Sequence, residues 1–146
     1  MALNELSVGE LLAALGERTP TPASGAATAL TGALAAGLEE LAARFAGDDD
    51  AVVRAKALGA RLVQLADEDA VAYTAFMADR NEATRAEIVR VPEEIAACAD
   101  EVAALAERVR AQLRSSVAGD AEAAVGLARA AARVGRRLAE LNRASP

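Results

Sequence analysis

The sequence predicts an all-α fold, an antiparallel bundle of about five helices, and three observations predict it. The chain is rich in Ala, Leu, Glu and Arg, all strong helix formers. Of its 146 residues 53% are hydrophobic, yet Phe45, Tyr73 and Phe76 are the only aromatics. Apolar residues recur at steps of three and four, and no strand-like alternation competes with them. The length suits one domain, 1–146, with a single core.

Each element follows from local signals. Ser7-Val8-Gly9-Glu10 has the form of a capping box and opens a short helix through Leu11, Leu12 and Leu15 that Gly16 ends. In "RTPTPASGAA" Pro20 and Pro22 break any helix, and Thr21 or Ser24 is placed to cap the next one. An Ala-rich helix then runs to Ala46, with Leu30, Leu34, Leu38, Leu41 and Phe45 recurring along one face; Leu-lined faces left over on this helix and the last are expected to be buried by a second copy of the chain. Gly32 and Gly37 cost that helix stability, and close helix–helix contact is the expected compensation. Gly47 to Asp50 is a loop and N-cap. A third helix continues to Met77 or Ala78, followed by the polar turn "ADRNEATRA". A fourth covers 82–113, with Pro92 kinking it or restarting it. After "RSSVAG" the last helix runs from Asp120 to Asn142, with Leu127, Ala131, Val134, Leu138 and Leu141 as its stripe.

Composition narrows the function. The net charge of −6 argues against a nucleic-acid or anionic-membrane partner. There is no histidine, which removes Ser-His-Asp triads, Cys-His pairs and His-ligated zinc. Acid–base chemistry is left to Asp, Glu, Tyr73, Lys56 or Cys98. A single cysteine makes no intrachain disulfide. No signal peptide and no membrane span are visible, so a soluble cytoplasmic protein is the expectation.

One short stretch raises a sharper question. "LADEDAVAYTAF" (65–76) carries three acids in an otherwise apolar run. Leu58, Leu62, Leu65, Tyr73 and Phe76 define the buried face. With Leu62 at zero and about 100° per residue, Asp69 falls at about −20°, Glu68 at about −120° and Asp67 at about 140°. Asp69 therefore points inward, and a buried carboxylate either pairs, stays protonated or works. Asp67 and Glu68 are ordinary solvated positions on the same count. In the last helix Asp120 is in phase with the stripe, at about 20° from Leu127. It suits an N-cap; two inward acids on different helices would also suit a base and a partner facing one cavity. Tyr73, one turn after Asp69, either hydrogen-bonds that acid or packs.

Four segments, in order, resemble the cyclodeaminase/cyclohydrolase family: "RTPTPASGAATALTGALAAGLEELAARF", "LADEDAVAYTAFM", "VPEEIAACADEVAALA" and "AGDAEAAVGLARAA". That family includes the C-terminal domain of formiminotransferase-cyclodeaminase and methenyltetrahydrofolate cyclohydrolases. The resemblance implies an all-helical homodimer acting on a tetrahydrofolate derivative as substrate, without cofactor or metal. It places the proton-accepting carboxylate on Asp69, with Asp67 as the other match in the Asp-x-Asp segment; Asp120 is carried as a third candidate. Pro22, Ser24 and Gly25 in the turn, with Tyr73 and Arg114, are the substrate-binding candidates. The family's Gly-Gly-Gly-Ser turn aligns with Ala23-Ser24-Gly25-Ala26, which keeps one glycine. Two readings follow: a compact enzyme of folate one-carbon metabolism, or a non-catalytic helical homodimer or partner subunit that kept the fold and lost the turn. A coiled-coil adaptor is a third, opposed by the Pro-Thr-Pro turn.

Overall fold

The computed structural model describes residues 2–146. After a 3-10 turn at Leu3–Glu5 come five helices: α1 (Val8–Gly16), α2 (Ser24–Ala46), α3 (Asp49–Ala78), α4 (Glu82–Arg110) and α5 (Ala118–Arg143). Among the described residues there is no strand. Among the four long helices α2 packs on α3, α4 and α5, and α4 packs on α3 and α5 as well. None is long and apolar enough to cross a membrane among the described residues.

Caps set most boundaries as predicted. Ser7 and Glu10 form the capping box of α1. Gly47 takes the left-handed conformation (φ 71°) that ends α2, where only glycine is unstrained. Asp48 accepts from the Ala51 amide at 3.0 Å to start α3. Asn81 and Thr84 box the start of α4. Two capping expectations are corrected. The N-cap of α2 is Ala23, and neither Thr21 nor Ser24 supplies a side-chain cap. The N-cap of α5 is Val117, which puts Asp120 inside the first turn. Pro92 neither ends nor restarts α4, which runs through it.

The core is built from two kinds of surface. On α3 the predicted face holds: Leu58, Leu62, Leu65 and Phe76 are buried and pack with Ile88, Val91, Ile95 and Val102 of α4. On α2 the leucine stripe is only partly buried: Leu30 and Leu38 are half-buried and pack against the core. Leu34 is 68% exposed and Phe45 62%, while Ala26, Ala29, Gly32, Ala35, Ala36, Ala42 and Ala43 are buried. The stripe of α5 divides as well: Leu127, Val134 and Leu141 lie outside, Leu138 is half-buried, and Ala131 lies inside with Ala121, Ala124, Val125, Ala128, Ala132 and Gly135. The reason is geometric. A helix with neighbours on several sides can approach them closely only through small side chains, and larger residues are left to the periphery. Gly32 fits this, because a Cβ there would meet the Leu62 methyls at 3.2 Å. Gly37 does not, having no neighbour within 4 Å of such an atom.

The displaced large residues form an apolar groove of about 840 Å³ along the outside of α1 and α2. Val8, Leu12, Leu34, Leu38, Val63 and Leu127 are among its lining.

Candidate active site

The antiparallel arrangement brings four element ends together: the start of α2, the C-terminal half of α3, the first half of α4 and the end of α5. Between them is a partly enclosed cavity of about 240 Å³. Pro20, Thr21, Ala23, Ser24 and Gly25 form its rim, Asp69 and Tyr73 come from α3, Pro92 from α4, and Leu138 and Asn142 from α5.

The three adjacent acids of α3 have three different fates, as their phases on the helix require. Asp67 turns outward and accepts the Leu3 backbone N–H at 2.9 Å, clipping the N-terminal turn to the bundle. Glu68 joins an ion-pair network with Arg61 and Arg90 that ties α3 to α4; its hydrogen bond from the Arg61 guanidinium holds it below the ordinary glutamate range. Asp69 enters the cavity.

Asp69 is seated by Gly25. A Cβ at residue 25 would overlap the Asp69 carboxyl group, both oxygens included, so the acid reaches its position only because that residue lacks a side chain. The carboxylate lies against the uncapped N-terminus of α2, where free N–H groups and the helix dipole favour negative charge. Two effects compete for its proton. Desolvation raises its pKa, the Ala26 amide lowers it, and desolvation wins, taking it to about 6.

The remaining candidates divide cleanly. Ser24 lines the cavity, its carbonyl accepting from the Thr28 hydroxyl at 2.6 Å and its own hydroxyl without a hydrogen-bond partner among the described residues. Tyr73 lines it as a wall; no hydrogen bond joins its hydroxyl to Asp69. Pro22 follows Thr21 but is not part of the lining. Asp120 is not in the cavity. It lies eighteen residues before Leu138 on α5, about 27 Å along the axis, so being in phase with the stripe did not bring it level with Asp69. Arg114 is in the α4–α5 connection at that same far end, exposed. Asp67 faces away from the cavity.

Sequence reasoning passed over Asn142, Leu138 and Pro92, and a second buried acid. Glu39 on α2 is fully buried, and both its oxygens lack a hydrogen-bond partner. Burial raises its pKa to about 7, the Arg108 charge opposing and the Asp48 charge assisting. It is fifteen residues from Ser24, about 22 Å along α2, and lines no cavity described above. Among the described residues, no group of three or more Cys, Asp and Glu side chains is placed to hold a metal ion.

A family model described as formiminotransferase-cyclodeaminase matches residues 7–145. The chain belongs to the formiminotransferase-cyclodeaminase family. Membership points to folate-related one-carbon metabolism. No curated protein matches the chain.

Proposed function

We propose that this family member acts on a one-carbon-bridged tetrahydrofolate, as a methenyltetrahydrofolate cyclohydrolase or a formiminotetrahydrofolate cyclodeaminase, with Asp69 accepting the proton. The observation that carries the reading is a carboxylate in a cavity, seated by the only glycine of its turn. A group ionising near 6 is charged at neutral pH and more basic than an ordinary aspartate, which suits general-base work.

The chemistry asked of it is modest. The methenyl carbon is electrophilic because its cation is shared by two nitrogens. Water adds to that carbon and Asp69 takes a proton from it; one carbon–nitrogen bond then breaks, its electron pair staying on the nitrogen, which takes that proton, while the new hydroxyl loses its proton to become the formyl carbonyl. The carbon remains on the other nitrogen as a formyl group, and the net reaction consumes one water and releases one proton. Before attack the carboxylate also offsets the cation's charge in a partly enclosed site. Ser24 at the rim offers a free hydroxyl to the ligand, and Tyr73 offers a flat wall.

The test is the loss of methenyltetrahydrofolate absorbance, with ammonia release from formiminotetrahydrofolate as the parallel assay. The wild-type chain should accelerate one of them. Asp69→Asn should lose roughly 10²–10⁴-fold with its melting temperature retained. One observation favours a second, non-catalytic reading: α2 has no cap of its own, and Asp69 meets its Ala26 amide as a cap would. On that reading no acceleration is seen, and Asp69→Asn, which keeps an acceptor for the Ala26 amide and removes a charge that burial opposes, keeps or raises the melting temperature.

The proposed partner is a second copy of the chain, covering the leucine groove of α1 and α2. Sedimentation should give a dimer for the wild type and a monomer for Leu34→Glu.

A further inference from the structure

The wall of the cavity opposite the α2 turn is held by a bond that begins with a defect in α4. In an unbroken α-helix the amide of residue 92 would donate to the carbonyl of Ile88. Pro92 has no amide hydrogen, so the Ile88 carbonyl is left without its helical donor. Asn142 of α5 supplies one: its Nδ2 donates to the Ile88 oxygen at 2.6 Å. This fixes the orientation of the side-chain amide, since only the NH₂ end can face a carbonyl. The Oδ1 end is then turned away from Ile88, and the Ile88 bond is the only hydrogen bond the Asn142 side chain makes among the described residues.

Two further contacts keep α5 in place. Gly135, two turns before Asn142, lies so close to α4 that a Cβ there would come within 2.9 Å of the Pro92 carbonyl and 3.2 Å of the Ala96 Cβ. The Arg85 guanidinium donates to the Asn142 backbone carbonyl at 3.4 Å and also to that of Ser145. Asn142 and Pro92 both line the cavity that holds Asp69. A half-buried acceptor with a fixed orientation and no protein donor is suited to an N–H from outside.

We propose that Asn142 is a ligand-binding residue of the Asp69 cavity: pinned through Nδ2 to the carbonyl that Pro92 leaves free, it offers Oδ1 to an N–H group of a reduced pterin ring. This rests on the folate reading above and deepens it, because it assigns selection for an N–H-bearing heterocycle to α5. An oriented acceptor binds ground state and transition state alike, so its loss should appear in KM and not in kcat.

The experiment measures Kd for 5-formyltetrahydrofolate by calorimetry and kcat and KM on methenyltetrahydrofolate, for wild type, Asn142→Leu and Pro92→Ala. Asn142→Leu should raise Kd and KM about tenfold, the scale of one hydrogen bond, with kcat within about twofold. Pro92→Ala returns an amide to Ile88 and unpins Asn142. It should raise Kd and KM by a smaller factor while keeping or raising the melting temperature. It also carries the test if Asn142→Leu does not fold. A merely structural Asn142 would lower the melting temperature of Asn142→Leu and leave Kd and KM unchanged; that result overturns the proposal, as does a fall in kcat with KM fixed. A wild type that neither binds nor turns over either folate overturns the folate reading itself, and this proposal with it. Unchanged affinity in both variants of a wild type that does bind overturns the role of Asn142 alone.

Discussion

Asp69 and Glu39 are both inward carboxylates on long helices, and the contrast between them separates a site from a burden. Asp69 has a cavity in front of it, a glycine beneath it and a helix N-terminus beside it. Glu39 is fully buried with neither oxygen hydrogen-bonded among the described residues, and desolvation governs its proton, with the charge of Arg108 opposing and that of Asp48 assisting. Burial raises the pKa of both. Yet Asp69 still ionises below neutral pH, while Glu39 titrates near 7 and faces nothing that could be a substrate. A raised carboxyl pKa is therefore not by itself the mark of chemistry here; space for a ligand is.

The largest effect that would break this contrast comes from Gly25→Ala. The new methyl claims the volume of the Asp69 carboxyl and must displace it. Turnover should fall on the order of 100-fold, as expected for a misplaced reacting group, while far-ultraviolet circular dichroism stays helical. Full activity in this variant would mean that the position of Asp69 is irrelevant.

Glu39→Met sharpens the other half. Replacing an unpaired buried acid by an apolar side chain of similar size should stabilise the fold by roughly 1–4 kcal/mol at pH 8, with kcat/KM unchanged. The pH dependence fixes the sign. Glu39 titrates near 7 in the folded chain against an ordinary 4.5, so the folded state keeps a proton that the unfolded state has released. Its contribution is therefore fully favourable below about 4.5 and is lost as pH rises to about 7. Asp69 acts with the same sign between 3.8 and about 6. At the lower end Glu10, Asp48, Glu68, Glu94 and Glu101, all held below their ordinary values, act with the opposite sign, so chemical denaturation of the wild type should show the loss between about pH 6 and 7, and Glu39→Met should abolish it. A Glu39→Met chain less stable than the wild type at pH 8 would show that the acid has a partner after all.

What the sequence disclosed depended on how each helix is surrounded. The face of α3 was legible because large apolar residues lie on one side and charges on the other, and Asp69 stood out against that pattern. The face of α2 was not, because both sides are apolar. Its alanines face the core, Leu34, Leu41 and Phe45 face outward and Leu30 and Leu38 lie between, so size, not hydrophobicity, marked the inside, and Glu39 escaped notice among the alanines. Asp120 failed for another reason: periodicity gives an angle around a helix but not a height along the bundle. Counting from the turns in an antiparallel bundle would have placed it at the far end from Asp69. Asn142 left half a signal. Pro92 within a helix announces that the Ile88 carbonyl needs a donor, but nothing local says that the donor comes from residue 142.

The central claim, that the ionised Asp69 carboxylate does the chemistry and Glu39 does not, is tested most directly by the pH profile of protein-accelerated methenyl-bridge opening in wild type and Glu39→Met. Both should show kcat/KM rising through a single limb near pH 6, the point at which Asp69 becomes charged. A limb that vanishes in Glu39→Met, or rate acceleration that persists undiminished in Asp69→Asn across the same range, would contradict it.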